Sequence, residues 1–190
     1  MSARLKVFVA VLVLGVAATV AATYAARRTY VVGLASLGEP PRRVRAADLV
    51  GGPVPAFEAE DVNGRRVGTV ASRGRVMVVT VWATWCPPCR EEMARLERDV
   101  WRRFGGEVDV IGISYGDTPA SIATFNQRAK LTFPLVADRG GRLSRRFEGN
   151  SVPRTYVVDR SGRIVHQAVG YDEQSFAAVV AAVKRVARGG

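Results

Sequence analysis

Cys86 and Cys89 are the only cysteines among 190 residues, and the two positions between them are Pro87 and Pro88. A thiolate is the form of cysteine that attacks another sulfur, and two thiols three positions apart on the first turn of a helix can close as a disulfide or open as a dithiol. A helix N-terminus stabilises negative charge, so Cys86 is the expected nucleophile. Cys89, one turn further in, is expected to be the more buried and less acidic thiol, and to resolve a mixed disulfide formed at Cys86. Pro87 and Pro88 carry no N–H, which leaves Cys89 and Arg90 as the nearest amide donors to the Cys86 sulfur. A thiolate with fewer donors makes a more reducing couple, an effect that the charge of Arg90 opposes. Trp85, directly before the nucleophile, is expected to shield the site, and Trp82 reads as core. The same C-x-x-C spacing is half of a zinc site, but such a site wants about four ligands. The chain has one histidine, His166, some eighty residues later in a strand pattern. No metal is expected.

The elements that must hold this pair are legible around it. Val76 to Val81 is an apolar, β-branched run, the pattern of a strand buried on both faces. Pro87 stands at the first helical position, where its missing N–H costs nothing. Met93, Leu96, Val100, Trp101 and Phe104 then recur at helical spacing, with Gly105-Gly106 as the stop. Val108 to Ser114 is the next strand. Thr118-Pro119 opens a helix to about Lys130, Phe133 to Ala137 is extended, and a brief helix runs through Phe147. Thr155 to Asp159 and Arg163 to Val169 form a hairpin around Asp159-Arg160-Ser161-Gly162. A last helix starts at Asp172 or Glu173. Ahead of all this, Asn63-Gly64 favours a tight turn between short strands. The order β, α, β, α, then β-hairpin and α implies an α/β sandwich with parallel central strands and an antiparallel edge.

Residues 1–28 read as an appendage. Arg4 and Lys6 precede Val7 to Ala26, a run whose only polar members are Thr19, Thr23 and Tyr24. As a helix it rises about 30 Å, enough to cross a bilayer core. The same order describes a secretory signal peptide, with small residues near Ala25 and Ala26 for cleavage; the length favours an uncleaved anchor. Residues 29–53, rich in Gly, Pro and Arg, read as a linker, and 54–190 as the folded domain. The net charge of +11 is spread along the chain without an aromatic–basic module, so nucleic acid is not an expected partner.

The Trp82-to-Cys89 segment, Phe133-Pro134, Ser151-Val152-Pro153 and the Asp159–Gly162 turn together resemble the membrane-tethered bacterial thiol–disulfide oxidoreductases of the TlpA/ResA-like group. The resemblance spans roughly Val54 to Ala187. It implies a thioredoxin-like fold, with a central mixed sheet flanked by helices and an extra N-terminal β-hairpin. It also implies that Pro153 is a cis-proline beside the cysteines, with Val152 offering backbone hydrogen bonds to a substrate chain. Cys86 and Cys89 would be catalytic, supported by Trp85, Pro87, Pro88 and Pro153, with no cofactor beyond their redox-active disulfide. Two positions depart from the group. Relatives often carry a buried acid or Asn six residues before the first cysteine, where this chain has Thr80; and Ala94 replaces a kinking proline. Glu91, Glu92 and Asp117 are then the candidates for accepting the Cys89 proton. The Gly112–Asp117 stretch is either a loop beside the site or a plain strand-to-helix turn.

The resulting expectation is an extracytoplasmic oxidoreductase, a reductase of protein disulfides with a place in cytochrome c maturation. Its soluble domain would stand on the periplasmic side of a single membrane helix and take electrons from a membrane donor. Arg27, Arg28, Arg42, Arg43 and Arg45 after the helix argue for the opposite orientation, but long C-terminal domains translocate largely regardless of charge. The alternatives are a peroxiredoxin-like peroxidase and a non-enzymatic thioredoxin-fold module for copper-site assembly.

Overall fold

The computed structural model describes residues 49–147 and 151–189, with Thr19 alone upstream. The chain divides into two units, Met1–Arg45 and Ala46–Gly190. The expected membrane helix and most of the linker lie outside the described residues. Among the described residues no helix is long and apolar enough to cross a membrane.

Five strands make one sheet in the order β5-β4-β3-β6-β7. β3 (Val76–Trp82) lies at its centre, parallel to β4 (Val108–Tyr115), which is parallel to β5 (Leu135–Asp138). On the other side β6 (Arg154–Val158) runs antiparallel to β3, and β7 (Ile164–Val169) antiparallel to β6. All seven residues of β3 are buried, because both faces of the sheet are covered. Alternation along the strand divides them. Val76 and Val78 share one core with Met93, Leu96 and Val100 of α1 and Phe176, Val179 and Val183 of α3. Met77, Val79 and Val81 face the other core, closed by Phe57, Phe147 and Tyr156. The parallel centre and antiparallel edge agree with the sequence reading.

The helices follow from their caps. α1 begins at Pro87–Arg95, with Cys86 as its N-cap. It passes through a π-helical stretch, Leu96–Trp101, and closes with one α turn, Arg102–Phe104. The π-helical stretch was not legible in the periodicity. It sets Glu97 opposite Arg102, whose Nε donates to Glu97 Oε1 at 2.7 Å. The same carboxylate accepts the amide and hydroxyl of Thr132 at 2.8 and 2.7 Å, tying α1 to the segment before β5. α2 (Pro119–Ala129) and α3 (Glu173–Arg188) start in capping boxes, Thr118 with Ser121 and Asp172 with Ser175.

Two short strands, β1 (Glu58–Glu60) and β2 (Arg66–Gly68), form the separate N-terminal hairpin. Its turn is held by Asp61, whose carboxylate accepts the amides of Asn63 and Arg65 at 2.9 Å. One boundary needs correction. The linker was expected to run to residue 53, yet Gly51 N–H donates to the Ile164 carbonyl at 2.8 Å, and Gly52 O accepts Ile164 N–H at 3.0 Å. Pro53 bridges Arg163. Gly and Pro there leave no periodic signal, but the free backbone groups at the start of β7 still need partners, and these residues supply them.

Gly112 lies where β4 passes under α1. A Cβ there would stand 3.0 Å from Met93 Cε and Trp82 Nε1, and 3.1 Å from Leu135 Cδ2. Gly112→Ala is therefore expected to lower the unfolding free energy by about 1–3 kcal/mol, measured by chemical denaturation.

Candidate active site

β3 delivers the chain to the end of the sheet at the strand's own C-terminus, and Cys86 takes an extended backbone (φ −93°, ψ 110°) before Pro87 and Pro88 open α1. Cys86 and Cys89 are joined by a disulfide with their Cα atoms 5.3 Å apart. The Cys89 N–H donates to the Cys86 sulfur at 3.3 Å. Arg90 N–H goes instead to the Cys86 carbonyl at 3.2 Å, so of the two expected donors Cys89 alone reaches the sulfur. Cys86 is 4% exposed and Cys89 fully enclosed.

Two loops close on this pair. Val152–Pro153 is a cis peptide, and the Val152 carbonyl oxygen lies 3.9 Å from the Cys86 sulfur. The Pro153 carbonyl accepts Gly170 N–H at 2.9 Å, which anchors the loop to the end of β7. Arg154, next in the chain, is buried and donates through Nη2 to Ser151 Oγ at 2.7 Å. On the other side, Asp117 reaches back to Thr84, two residues before Cys86. Its carboxylate accepts the Thr84 amide at 2.8 Å and the Thr84 hydroxyl at 2.7 Å, together with the hydroxyls of Ser114 and Ser121. Burial pushes the Asp117 carboxyl up, but the Ser114 and Thr84 hydrogen bonds outweigh it and hold the group below the usual carboxylate range. Asp117 is thus an anion and a clamp, not a proton acceptor, and the Gly112–Asp117 stretch borders the site.

Glu92 is the buried acid. It sits on α1 three residues after Cys89, a spacing that puts the two on one face a turn apart, and it is 1% exposed. Thr155 donates to its Oε1 at 2.7 Å; Thr80 Oγ1 lies 2.9 Å from Thr155 Oγ1 and 3.5 Å from Glu92 Oε2. Burial raises the Glu92 carboxyl from 4.5 to about 7, against the lowering pull of Thr155 and then Thr80. Thr80 therefore does not leave the dithiol without an acid; it lies under an acid supplied by the helix. Glu91 is exposed. Thr155 went unnoticed in the sequence, and only its place opposite Thr80 across β3 and β6 gives it a role.

Trp85 is 58% exposed, so much of its indole faces solvent next to Cys86 in the chain. Trp82 is fully buried, with its ring 5.1 Å from that of Phe125. His166 sits within β7, where burial and then the charge of Arg185 hold its imidazole below the ordinary value. Among the described residues no three His, Cys, Asp or Glu side chains converge as a metal-ligand set.

A thioredoxin-like sheet presenting a cysteine pair at a helix start beside a cis-proline defines a thiol–disulfide oxidoreductase, and the comparisons with known proteins agree. The family model described as the AhpC/TSA family matches residues 50–167, and the chain belongs to that family. Thiol-disulfide oxidoreductase ResA of Geobacillus thermodenitrificans (strain NG80-2) is 28% identical over 122 residues, 63% of this chain and 69% of the relative. ResA of Bacillus subtilis (strain 168) is 24% identical over 121 residues, 63% and 67% of the two chains. Among solved structures, a candidate protein disulfide isomerase from Bacteroides thetaiotaomicron superposes with a TM-score of 0.70 at 27% identity, covering 74% of this chain and 91% of that one. A thioredoxin-family thiol:disulfide interchange protein from Chlorobium tepidum TLS superposes at 0.62 with 23% identity, over 71% and 95%, a likeness of fold.

A carboxyl raised by folding stabilises the protein below its unfolded value, and that contribution is lost as pH rises through the folded one. For Glu92 the window runs from pH 4.5 to about 7. Across it the contribution of Glu92 to the unfolding free energy of the oxidised chain should fall by about 3 kcal/mol. The fall should be absent in Glu92→Gln, measured by denaturation at a series of pH values.

Proposed function

We propose that this oxidoreductase reduces disulfides of other proteins, on the extracytoplasmic side of a bacterial membrane to which its N-terminal segment tethers it. One observation carries the direction of electron flow: the sulfur of Cys86 has a single amide donor, while a buried carboxyl waits one turn beyond Cys89. A sparsely solvated thiolate gives up its electrons readily, and an acid near neutrality takes a thiol proton without having to be strongly basic.

In the reduced enzyme the Cys86 thiolate attacks one sulfur of a substrate disulfide. A sulfur–sulfur bond forms to Cys86, and the other substrate sulfur leaves as thiolate. Cys89 then passes its proton to Glu92 and attacks the Cys86 sulfur. The second substrate sulfur is released, and Cys86–Cys89 is left as the disulfide seen in the structure. Two electrons have moved to the substrate. A membrane dithiol donor must return them by the same exchange in reverse. The Val152 backbone, whose carbonyl oxygen lies 3.9 Å from the Cys86 sulfur, would align an extended substrate segment by hydrogen bonds.

The extracytoplasmic side is supported by the basic, then apolar, N-terminal sequence and by the suitability of a reversible disulfide to an oxidising compartment. The cysteine pairs of apocytochromes c before haem attachment are the substrates that the TlpA/ResA resemblance favours. A peroxidase is less well supported: the Thr84 hydroxyl near Cys86 is committed to Asp117.

Cys89→Ser, expressed in the full chain, should accumulate a mixed disulfide between Cys86 and its substrate, identified by mass spectrometry after non-reducing capture. Recovered haem-attachment apoproteins support the maturation role, and copper-site proteins would replace it. In a glutathione buffer poised near about −230 mV the wild-type pair should stay mostly oxidised. A mostly reduced pair would make the enzyme an oxidant, and rapid peroxide consumption would make it a peroxidase.

A further inference from the structure

The edge of the sheet that carries the dithiol is electrostatically lopsided. Trp82 at the end of β3 is level with Ser114 of β4, and Ser114 with Ala137 of β5. Residues after Asp138 thus leave the sheet at the height of Ala83, two strands across, or about 10 Å. Four arginines follow within eight residues: Arg139, Arg142, Arg145 and Arg146, all exposed. An open hollow of about 310 Å³ is lined by Arg142, Leu143, Arg145 and Arg146. A Cβ on Gly141 would stand 2.7 Å from the Tyr115 ring and 3.1 Å from Arg145 Nη1, so this loop, with the Arg145 guanidinium, lies against the end of β4. From there Asp117 connects directly to Thr84.

Among the described residues Arg139, Arg142 and Arg145 enter no ion pair, whereas Arg65, Arg75, Arg95 and Arg102 each face a carboxylate. The nearest acids among the described residues accept from neutral donors and from none of these guanidinium groups. Asp138 accepts the amide and hydroxyl of Ser144, and Asp117 accepts four donors. Across the dithiol, beyond β7, Asp172 caps α3, and Glu173 there is paired with Arg95. Between the two flanks stand the exposed Trp85 and Val169.

We infer that the Arg139–Arg145 loop is a docking surface for acidic protein substrates, one that receives Asp- and Glu-rich segments flanking the target disulfide and orients them across Cys86. The inference rests on the reductase reading and adds to it a substrate class. Uncompensated guanidinium groups within a Debye length of a reaction centre raise the encounter rate of anionic partners, and salt removes the gain. Pairing with carboxylates in a bidentate fork adds orientation that a diffuse positive charge does not.

The test uses the full chain in neutral detergent and three peptides that share one disulfide core, flanked by three Asp, three Ser or three Lys residues. At about 20 mM salt the Asp peptide should exceed the Ser peptide in kcat/KM by about tenfold, shrinking to about twofold or less at about 300 mM. In R139E/R142E/R145E the order should invert in favour of the Lys peptide, with the Ser peptide as the reference for folding and dithiol chemistry. If the triple variant fails to fold, the single R142E variant should still weaken the Asp preference. Equal rates for the three peptides, or an Asp preference unchanged in the variants, overturn the docking surface while Ser-peptide turnover leaves the reductase reading standing. Failure to reduce even the Ser peptide removes that reading. An Asp preference that vanishes when the chain is moved from discs of neutral lipid to discs of anionic lipid would give the loop to the membrane, and also overturns the proposal.

Discussion

The site depends on where α1 begins. The first turn of a helix has amide protons with no internal acceptor, and here the Cys86 side chain takes the cap position and accepts a hydrogen bond from the Cys89 amide. That arrangement aims the helix's positive end at the atom that must carry negative charge. Pro87 and Pro88 remove two other amide protons from the same turn, so the sulfur is stabilised but sparsely. Every neighbouring element serves to hold this junction in place. β3 delivers it from the core, Asp117 pins Thr84 on one side, and the Val152–Pro153 loop, anchored to Gly170, closes the other.

The acid that completes the chemistry arrives by an indirect route. Its carboxylate is carried by the helix itself, and the sheet contributes two threonine hydroxyls where a related fold could contribute an acid. Burying a carboxyl without a cation is unfavourable for its charged form, and the Thr155 and Thr80 hydroxyls recover only part of the cost. The result is a group balanced between protonated and ionised near neutral pH. Stability given up at Glu92 thus becomes a proton acceptor at a useful value, the usual relation between an uncomfortable buried group and a functional one.

Charge distribution adds a second layer. A net charge of +11 says nothing about where the field is strongest. The folded arrangement does: some arginines are taken up by carboxylates or by backbone carbonyls, as Arg160 is by Val186 and Ala187, while Arg139, Arg142 and Arg145 after β5 face no carboxylate among the described residues. The two proline-separated cysteines supply reactivity, and the unbalanced rim supplies a preference among partners.

Much of this was readable from residue order alone. The apolar run before Trp82, the helical spacing after Pro88 and the Asp159–Gly162 turn determined the succession of elements, because such patterns reflect local propensity and burial on one face. The cysteine pair was readable because its chemistry depends on a separation of three. What the sequence could not decide involved partners distant along the chain. Glu91, Glu92 and Asp117 were equal candidates on the page; helix phase buried one and exposed another, and four donors converted the third into a clamp. Thr155 matters only because β6 lies beside β3. The π-helical stretch in α1, the exposed face of Trp85 and the pairing of Gly51 and Gly52 with β7 arise the same way. They answer to hydrogen-bond groups and space supplied by residues far off in sequence, which no local period encodes.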